Sequence, residues 1–180
     1  MSRLKIALVG VAALAALAAV PAKADTLTLN GGWDMFYFGG TTPATLNYFQ
    51  DINGNAIDFT FTLTSSAILT VADGWWDGDQ FTVTNNGVSI GNTSTPVFDG
   101  QYVGDSWYDA LKNPAFSSRS WVLGPGAYDI SGVAIQSPIG YGEGGIALGA
   151  VPEPATWALL ILGLGMIGFA ARRRAASVAA

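Results

Sequence analysis

The sequence predicts an all-β fold, an antiparallel β-sandwich of jelly-roll-like or immunoglobulin-like type, between an N-terminal signal peptide and a C-terminal transmembrane helix. Two observations predict the sandwich. Short segments alternate apolar and polar residues, which is the period of a half-buried strand. Gly, Pro and Asn-Gly pairs separate these segments, and a helical period is almost absent between the two ends. We therefore assign residues 25–136 to one secreted β-sandwich domain.

The clearest alternation runs over residues 57–64, where every second side chain, beginning with Ile57, is apolar. Asn86-Gly87 lies between two short β-rich runs and predicts a hairpin, because a type I′ turn needs positive φ at both central positions. Residues 91–115 lose the period and predict a long loop with a short helix at 107–111. Gly132 predicts a β-bulge.

The N-terminus is typical of a secretory signal peptide over residues 1–24. Arg3 and Lys5 form its basic region, residues 6–20 are an Ala/Leu/Val run, and Ala22-Lys23-Ala24 provides an A-x-A cleavage site. The mature chain is predicted to start at Asp25, after export through the Sec machinery. The alternative is an uncleaved N-terminal anchor.

Charge and composition exclude several functions. Between Asp25 and Glu143 there are two basic and twelve acidic residues, so this region carries 2 − 12 = −10 and offers no cationic groove to a nucleic acid. The chain has no histidine and no cysteine. Their absence removes His-based triads, Cys–His dyads and the usual zinc sites, so we predict that the protein is not an enzyme.

Residues 155–171 contain no charge, and Thr156 is their polar residue. At about 1.5 Å per residue this segment forms roughly 25 Å of helix, close to the lower limit for a membrane span. Trp157 lies at one edge and Arg172-Arg173-Arg174 at the other, and the positive-inside rule keeps the arginines cytoplasmic. Residues 175–180 are a short cytoplasmic remnant.

Pro152-Glu153-Pro154, followed by Trp157-Ala158, the apolar Gly-rich helix and the arginines, resembles the PEP-CTERM sorting tail in its PEPxxWA variant. The resemblance covers residues 151–174. It implies that an exosortase, a membrane-embedded Cys protease-transpeptidase, recognises the Pro-Glu-Pro motif and processes the protein for release or attachment at the cell surface. It also implies a link to extracellular polysaccharide and the biofilm matrix. The middle domain resembles small secreted β-sandwich domains that precede such tails, which implies a fold and no activity.

Residues 137–150 are Gly-rich and weakly patterned, with Glu143 as their charged residue. This composition predicts a flexible spacer between the domain and the membrane. No organic cofactor is predicted, because the G-x-G-x-x-G run at 163–168 falls inside the apolar helix and has no preceding strand.

The loop at residues 73–79 contains two candidate sites. Asp73, Asp77 and Asp79 offer oxygen ligands for calcium, although their spacing differs from an EF-hand; the alternative is a solvated loop in which Asp-Gly pairs make turns. Trp75 and Trp76 are candidates for stacking on sugar rings, and the alternative is burial in the core. Trp121 falls in strand phase and is predicted in the core.

Three functions remain open from the sequence. The first is a surface-sorted structural or matrix-associated protein, held briefly by its C-terminal helix and processed by an exosortase. The second is a glycan-binding β-sandwich module at the same location. The third is a secreted glycoside hydrolase that uses two of the carboxylates.

Overall fold

The computed structural model describes residues 23–39, 48–152 and 159–167. The strands and the helix between residues 23 and 150 are β1 (Lys23–Thr26), β2 (Trp33–Gly39), β3 (Ile57–Leu63), β4 (Ala67–Asp73), β5 (Trp75–Trp76), β6 (Gln80–Asn85), β7 (Val88–Asn92), β8 (Tyr102–Gly104), α1 (Trp107–Lys112), β9 (Ser118–Leu123), β10 (Gly126–Gln136) and β11 (Tyr141–Ala150).

The strands form two main sheets and one small sheet. The five-stranded sheet has the order β1-β3-β10-β6-β7, the four-stranded sheet has the order β2-β11-β4-β9, and β5 pairs with β8. Strand β1 runs parallel to β3, and the other pairs are antiparallel. The prediction of a mainly antiparallel all-β domain is confirmed.

One hydrophobic core lies between the two main sheets. Strand β3 buries alternate residues, as its sequence predicted, and its inward side chains meet those of β4 and β11 from the other sheet. Each sheet therefore has one face on the shared core, the arrangement expected of a β-sandwich.

Phenylalanine rings fill the centre of this core. The Phe36 ring from β2 stacks on Phe49 with centroids 3.7 Å apart, and Phe81 from β6 meets Phe36 edge-on at 5.3 Å. All three rings are fully buried. Edge-to-face pairs are a geometry that aromatic quadrupoles favour, so the contact of Phe36 with Phe81 links the two sheets by both area and orientation.

Several local predictions are confirmed. Strands β6 and β7 form a hairpin whose turn residues Asn86 and Gly87 have φ of 49° and 75°, the positive values that a type I′ turn requires. Helix α1 covers the predicted short helix at 107–111. Trp121 on β9 packs against the core while half-buried, and its indole N–H donates to the Ile90 carbonyl at 2.9 Å.

The bulge prediction at Gly132 is wrong in position. The register of β10 against β6 shifts between Ala134 and Gln136, two residues further on. Gly132 is needed for close packing instead, because a Cβ there would lie 2.5 Å from the Phe49 ring. Gly132 therefore allows close approach of an aromatic ring, and the pairing of β10 with β6 is regular at this residue.

The prediction of a flexible spacer at residues 137–150 is also wrong. Strand β11 occupies most of it, lies between β2 and β4, and is buried over most of its length. Its glycines make room for rings: a Cβ at Gly144 would lie 2.2 Å from Phe36, and one at Gly145 would lie 2.7 Å from Trp107. The folded domain therefore extends to Ala150 rather than ending at residue 136.

The two predicted membrane-directed ends lie largely outside the described residues. The signal peptide is described at Lys23 and Ala24, which begin β1. Residues 159–167 are helical, and the remainder of the predicted 155–171 span is outside the described residues. Within the described ranges, no helix has the length and apolar content needed to cross a bilayer.

The role of the β11 glycines can be tested by adding one methyl group. Gly144→Ala should reduce the free energy of unfolding by about 1–3 kcal/mol, because the new Cβ overlaps the Phe36 ring in a close-packed core. Urea denaturation followed by tryptophan fluorescence measures the change.

Gly149→Ala on the same strand is the matched control, since its nearest neighbour is 4.0 Å away. It should change the stability by less than about 0.5 kcal/mol. Two neutral variants would contradict the assignment of residues 141–150 to the core.

Candidate functional site

The sorting segment starts where the folded domain ends. Ala150 is the last residue of β11; it pairs with Ala67 on β4, and its backbone N–H donates to Asn30 Oδ1 at 3.0 Å. Val151 and the exposed Pro152 follow, while Glu153, Pro154, Trp157, Ala158 and Arg172–Arg174 lie outside the described residues. The Pro-Glu-Pro motif therefore begins two residues after a central strand.

The three aspartates of the acidic loop are buried rather than solvated. Asp73, at the end of β4, is 0% exposed, Asp77 1% and Asp79 3%. Asp79 donates its backbone N–H to Asp73 Oδ2 at 3.2 Å, whereas Asp77 accepts from the N–H groups of Asp99 and Gly100 at 3.0 and 3.1 Å. The alternative of a solvated turn is therefore wrong for these side chains.

These contacts give the calcium prediction no support. Asp77 spends both carboxylate oxygens on the loop at residues 99–100 and so holds that loop in place. In the part of the chain that the structure describes, no group of three or more acidic side chains is arranged to hold a metal ion. Asp73 and Asp79 remain as a close pair.

Burial changes the protonation of this pair. It raises the pKa of Asp73 to about 9, and repulsion from Asp79 adds to the increase. Burial likewise raises the pKa of Asp79 to about 7. Asp73 Oδ1 is buried and, among the described residues, has no hydrogen-bond partner. Ionising Asp73 would place a poorly solvated charge beside the core, so this side chain is a neutral acid at pH 7.

Glu143 is a second buried acid. Asp73 pairs with Gly144, so Glu143, the preceding residue on β11, lies on the other face of the four-stranded sheet. It is 1% exposed, lies opposite Tyr37 in the register with β2, and burial together with nearby Asp105 raises its pKa to about 7. Burial also raises the pKa of Tyr37, with Glu143 and Asp105 adding to the effect. Asp105 accepts the indole N–H of Trp75 at 3.1 Å, so a polar cluster lies beneath the loop before α1.

The two candidate stacking residues have different environments. The Trp75 indole is tied to Asp105 and meets the Tyr37 ring edge-on at 6.0 Å. Trp76 is 41% exposed and lies 5.1 Å from the ring of Tyr102, which is 58% exposed. Of the predicted pair, Trp76 is thus the side chain with the more accessible aromatic surface, and its neighbour Tyr102 completes an exposed aromatic pair.

Two residues of these sites were missed from the sequence. Tyr102 lies within residues 91–115, which had been assigned to a loop without strand pattern, although β8 pairs with β5 there. Glu143 was assigned to a spacer. The strand period of Ile146 and Leu148 after it was the available signal, but that period does not report the burial of Glu143.

An all-β domain that ends at Ala150, followed by an apolar segment and three arginines, has the organisation of a protein with a C-terminal sorting segment. A family model for the PEP-CTERM protein-sorting motif matches residues 150–174. The chain therefore carries a PEP-CTERM sorting motif, as the Pro152-Glu153-Pro154 pattern predicted. The motif implies export, processing by an exosortase at the membrane, and surface localisation.

Comparison with other proteins adds little for the β domain. The pre-peptidase C-terminal domain of a collagenase from Bacillus anthracis is similar in structure with a TM-score of 0.42 and 11% sequence identity, over 71% of this chain and 96% of that chain. Similarity at this level does not transfer fold or function. No curated protein is significantly similar in sequence.

The buried acids make the stability depend on pH. Their pKa values in the folded protein lie above the values near 4 of the unfolded chain, so the folded state binds more protons between about pH 4 and 9. The free energy of unfolding should be greatest near pH 4–5 and fall as the pH rises through 7 towards 9. Denaturation at pH 5, 7 and 8.5 measures this slope.

Asp73→Asn removes the largest contribution to the slope while keeping the side-chain shape. Its stability relative to the natural protein should increase on the order of 1 kcal/mol for each pH unit above 5. Thr62→Asn, at an exposed position of β3, is the control; it changes no titratable group and should leave the slope unchanged. A slope that is identical in all three proteins would show that Asp73 is not a neutral acid.

Proposed function

We propose that this protein is an exported structural or matrix-associated component of the cell surface. Its N-terminal segment directs export through the Sec route, its C-terminal segment holds it briefly at the membrane, and an exosortase processes it at the Pro-Glu-Pro motif. The mature domain then resides on the surface or outside the cell, within a matrix of extracellular polysaccharide.

The observation that carries this proposal is the sorting motif at residues 150–174 directly after strand β11. Three features of the domain agree with it. It has a core of its own, so it can persist outside the cell without disulfides. Its formal charge of −10 between Asp25 and Glu143, reduced by protonation of buried acids such as Asp73, stays strongly negative, which favours solubility and disfavours binding to polyanions. The carboxyl groups of Asp73 and Glu143 are buried, so they are not accessible to a substrate.

Processing can be tested by mass spectrometry of the protein from membrane, surface and medium fractions. The surface or medium form should have a C-terminus within or next to Pro152-Glu153-Pro154 and should lack Arg172–Arg174. Replacing Pro152 and Pro154 with Ala should shift the protein to the full-length form in the membrane fraction, because the recognition element is lost.

The exposed Pro138→Ala serves as the control and should be processed normally. Full-length protein still carrying the arginines in every fraction would contradict the proposal. Finding that form only in the double-proline variant would support it.

The exposed aromatic pair favours a second function, binding of a neutral glycan. Trp76 and Tyr102 present their rings on the two-stranded sheet, and Gln101 Nε2 donates to Asp99 beside them at 2.7–2.8 Å. Exposed aromatic faces suit the apolar faces of sugars, and amide and carboxylate groups suit their hydroxyls. The acidic surface restricts this function to neutral polysaccharides, because anionic ones would be repelled.

Retention on polysaccharide affinity gels tests this second function. Trp76→Ala and Tyr102→Ala should each weaken retention about tenfold or more, since truncating an aromatic anchor commonly removes most of the binding energy at its position. Tyr141→Ala removes an aromatic ring of similar exposure, 56%, from another part of the surface and should have no effect. Equal retention of all three variants would contradict glycan stacking at this pair.

A further inference from the structure

The end of the domain from which the sorting tail leaves has a distinct composition. We call it the tail-proximal face and define it by four segments, residues 28–32, 64–66, 122–125 and 150–152. None of these residues is charged. All are exposed except Leu123 and Val151, which are half-buried.

Strand register brings these segments together. Ala150 on β11 pairs with Ala67 on β4, and Ala67 pairs with Leu123 on β9, so these strand ends lie side by side. In the other sheet, Leu63 pairs with Gly126. The short connections 64–66 and 124–125 join the two sheets at this same end. The turn at 28–32 is fixed here too, because Asn30 bonds to the backbone of Leu148 and Ala150.

The charges of the domain lie elsewhere. Many acids are at the opposite end, where β4 ends at Asp73, β11 begins just before Glu143, and the turn containing Asp51 leads into β3. There are twelve acids and two bases between residues 25 and 143, so four uncharged segments at one end make the distribution of charge along the domain asymmetric. It coincides with the exit of the tail.

Two clefts and two exposed apolar side chains border this uncharged face. An open cleft of about 440 Å³ reaches from Trp33, Ile68 and Leu111 to Ala150. A second cleft of about 300 Å³ lies between residues 26–29 and 61–65. Val122 is 72% exposed and Leu29 42%. Recesses with exposed apolar side chains around them are typical of surfaces that meet another protein.

Chain length limits how far the partner can be from this face. Ala150 is fixed in a central strand, and residues 151–154 can extend at most about 14 Å from it. An enzyme that holds Pro152-Glu153-Pro154 in its active site must therefore approach the end of the domain to within that distance. The apolar segment begins one residue later, at Ala155, so the bilayer surface lies at a similar reach, and the enzyme is the partner that must hold the motif itself.

We propose that the tail-proximal face is a docking surface for the membrane-embedded enzyme that processes the sorting motif. This inference rests on the proposed processing at Pro152-Glu153-Pro154. The folded domain is then part of what the enzyme recognises, and the absence of charge lets the acidic domain dock without desolvating a carboxylate or repelling an anionic membrane surface.

The test measures processing of the full-length protein in cells that contain the enzyme. The double variant Ser65→Asp/Val122→Asp should be processed about tenfold more slowly, because it places two charges in the contact. Its control is Ile52→Asp/Asn53→Asp, which adds two charges in an exposed turn at the opposite end. Ile52 is 74% exposed, a fraction similar to the 72% of Val122, so the two variants add charge at equally accessible positions. The control should be processed at the natural rate.

Thermal melting of both variants separates slow processing from misfolding. A photo-crosslinking amino acid at Ser65 gives a second readout that does not depend on added charge. It should form an adduct with the enzyme, identified by mass spectrometry, whereas the same group at Asn53 should not. Adducts with lipid alone at Ser65 would overturn the assignment of the partner.

The outcomes distinguish this inference from the function it rests on. Natural protein and both variants processed equally would overturn the docking surface and leave processing intact. Natural protein that is never processed would overturn both. Slow processing of Ser65→Asp/Val122→Asp alone, with unchanged melting and the Ser65 adduct, supports the docking surface.

Discussion

The structure depends on the close packing of aromatic rings against the glycines of strand β11. Phe36 presses on Gly144 from the core, and Trp107 presses on Gly145 from the outer face, at distances that leave no room for a Cβ. These contacts place β11 between β2 and β4 and bring helix α1 onto the sheet. Without them the four-stranded sheet would lose one of its two central strands, and with it one side of the core.

Burial of carboxyl groups follows from this packing. The tight fit around β11 encloses Asp73 on one face and Glu143 on the other, with no basic side chain to compensate either charge at hydrogen-bonding distance among the described residues. The protein accommodates them by holding protons and by donating backbone N–H groups, which costs stability as the pH rises.

The sequence predicted well wherever a pattern had a local cause. Alternation in Ile57–Leu63 reports one buried face, and Asn86-Gly87 reports a backbone conformation, so both were correctly assigned. Strand β11 was missed because glycine has no side chain to report burial, and its function depends on rings such as Phe36, more than 100 residues away in the chain. The burial of Asp73 and the pairing of Trp76 with Tyr102 likewise depend on long-range contacts that composition does not reveal. The sorting motif was predictable because it is a short sequence pattern that can be identified without any long-range contact.

The position of β11 also determines how the domain responds to mechanical force. The strand has antiparallel neighbours on both sides, with seven paired residues to each. A pull on the chain beyond Ala150, along the strand, loads these two ladders together in shear and does not open their hydrogen bonds one at a time. A domain retained through its C-terminal end would therefore carry tension through a strand that is paired on both sides.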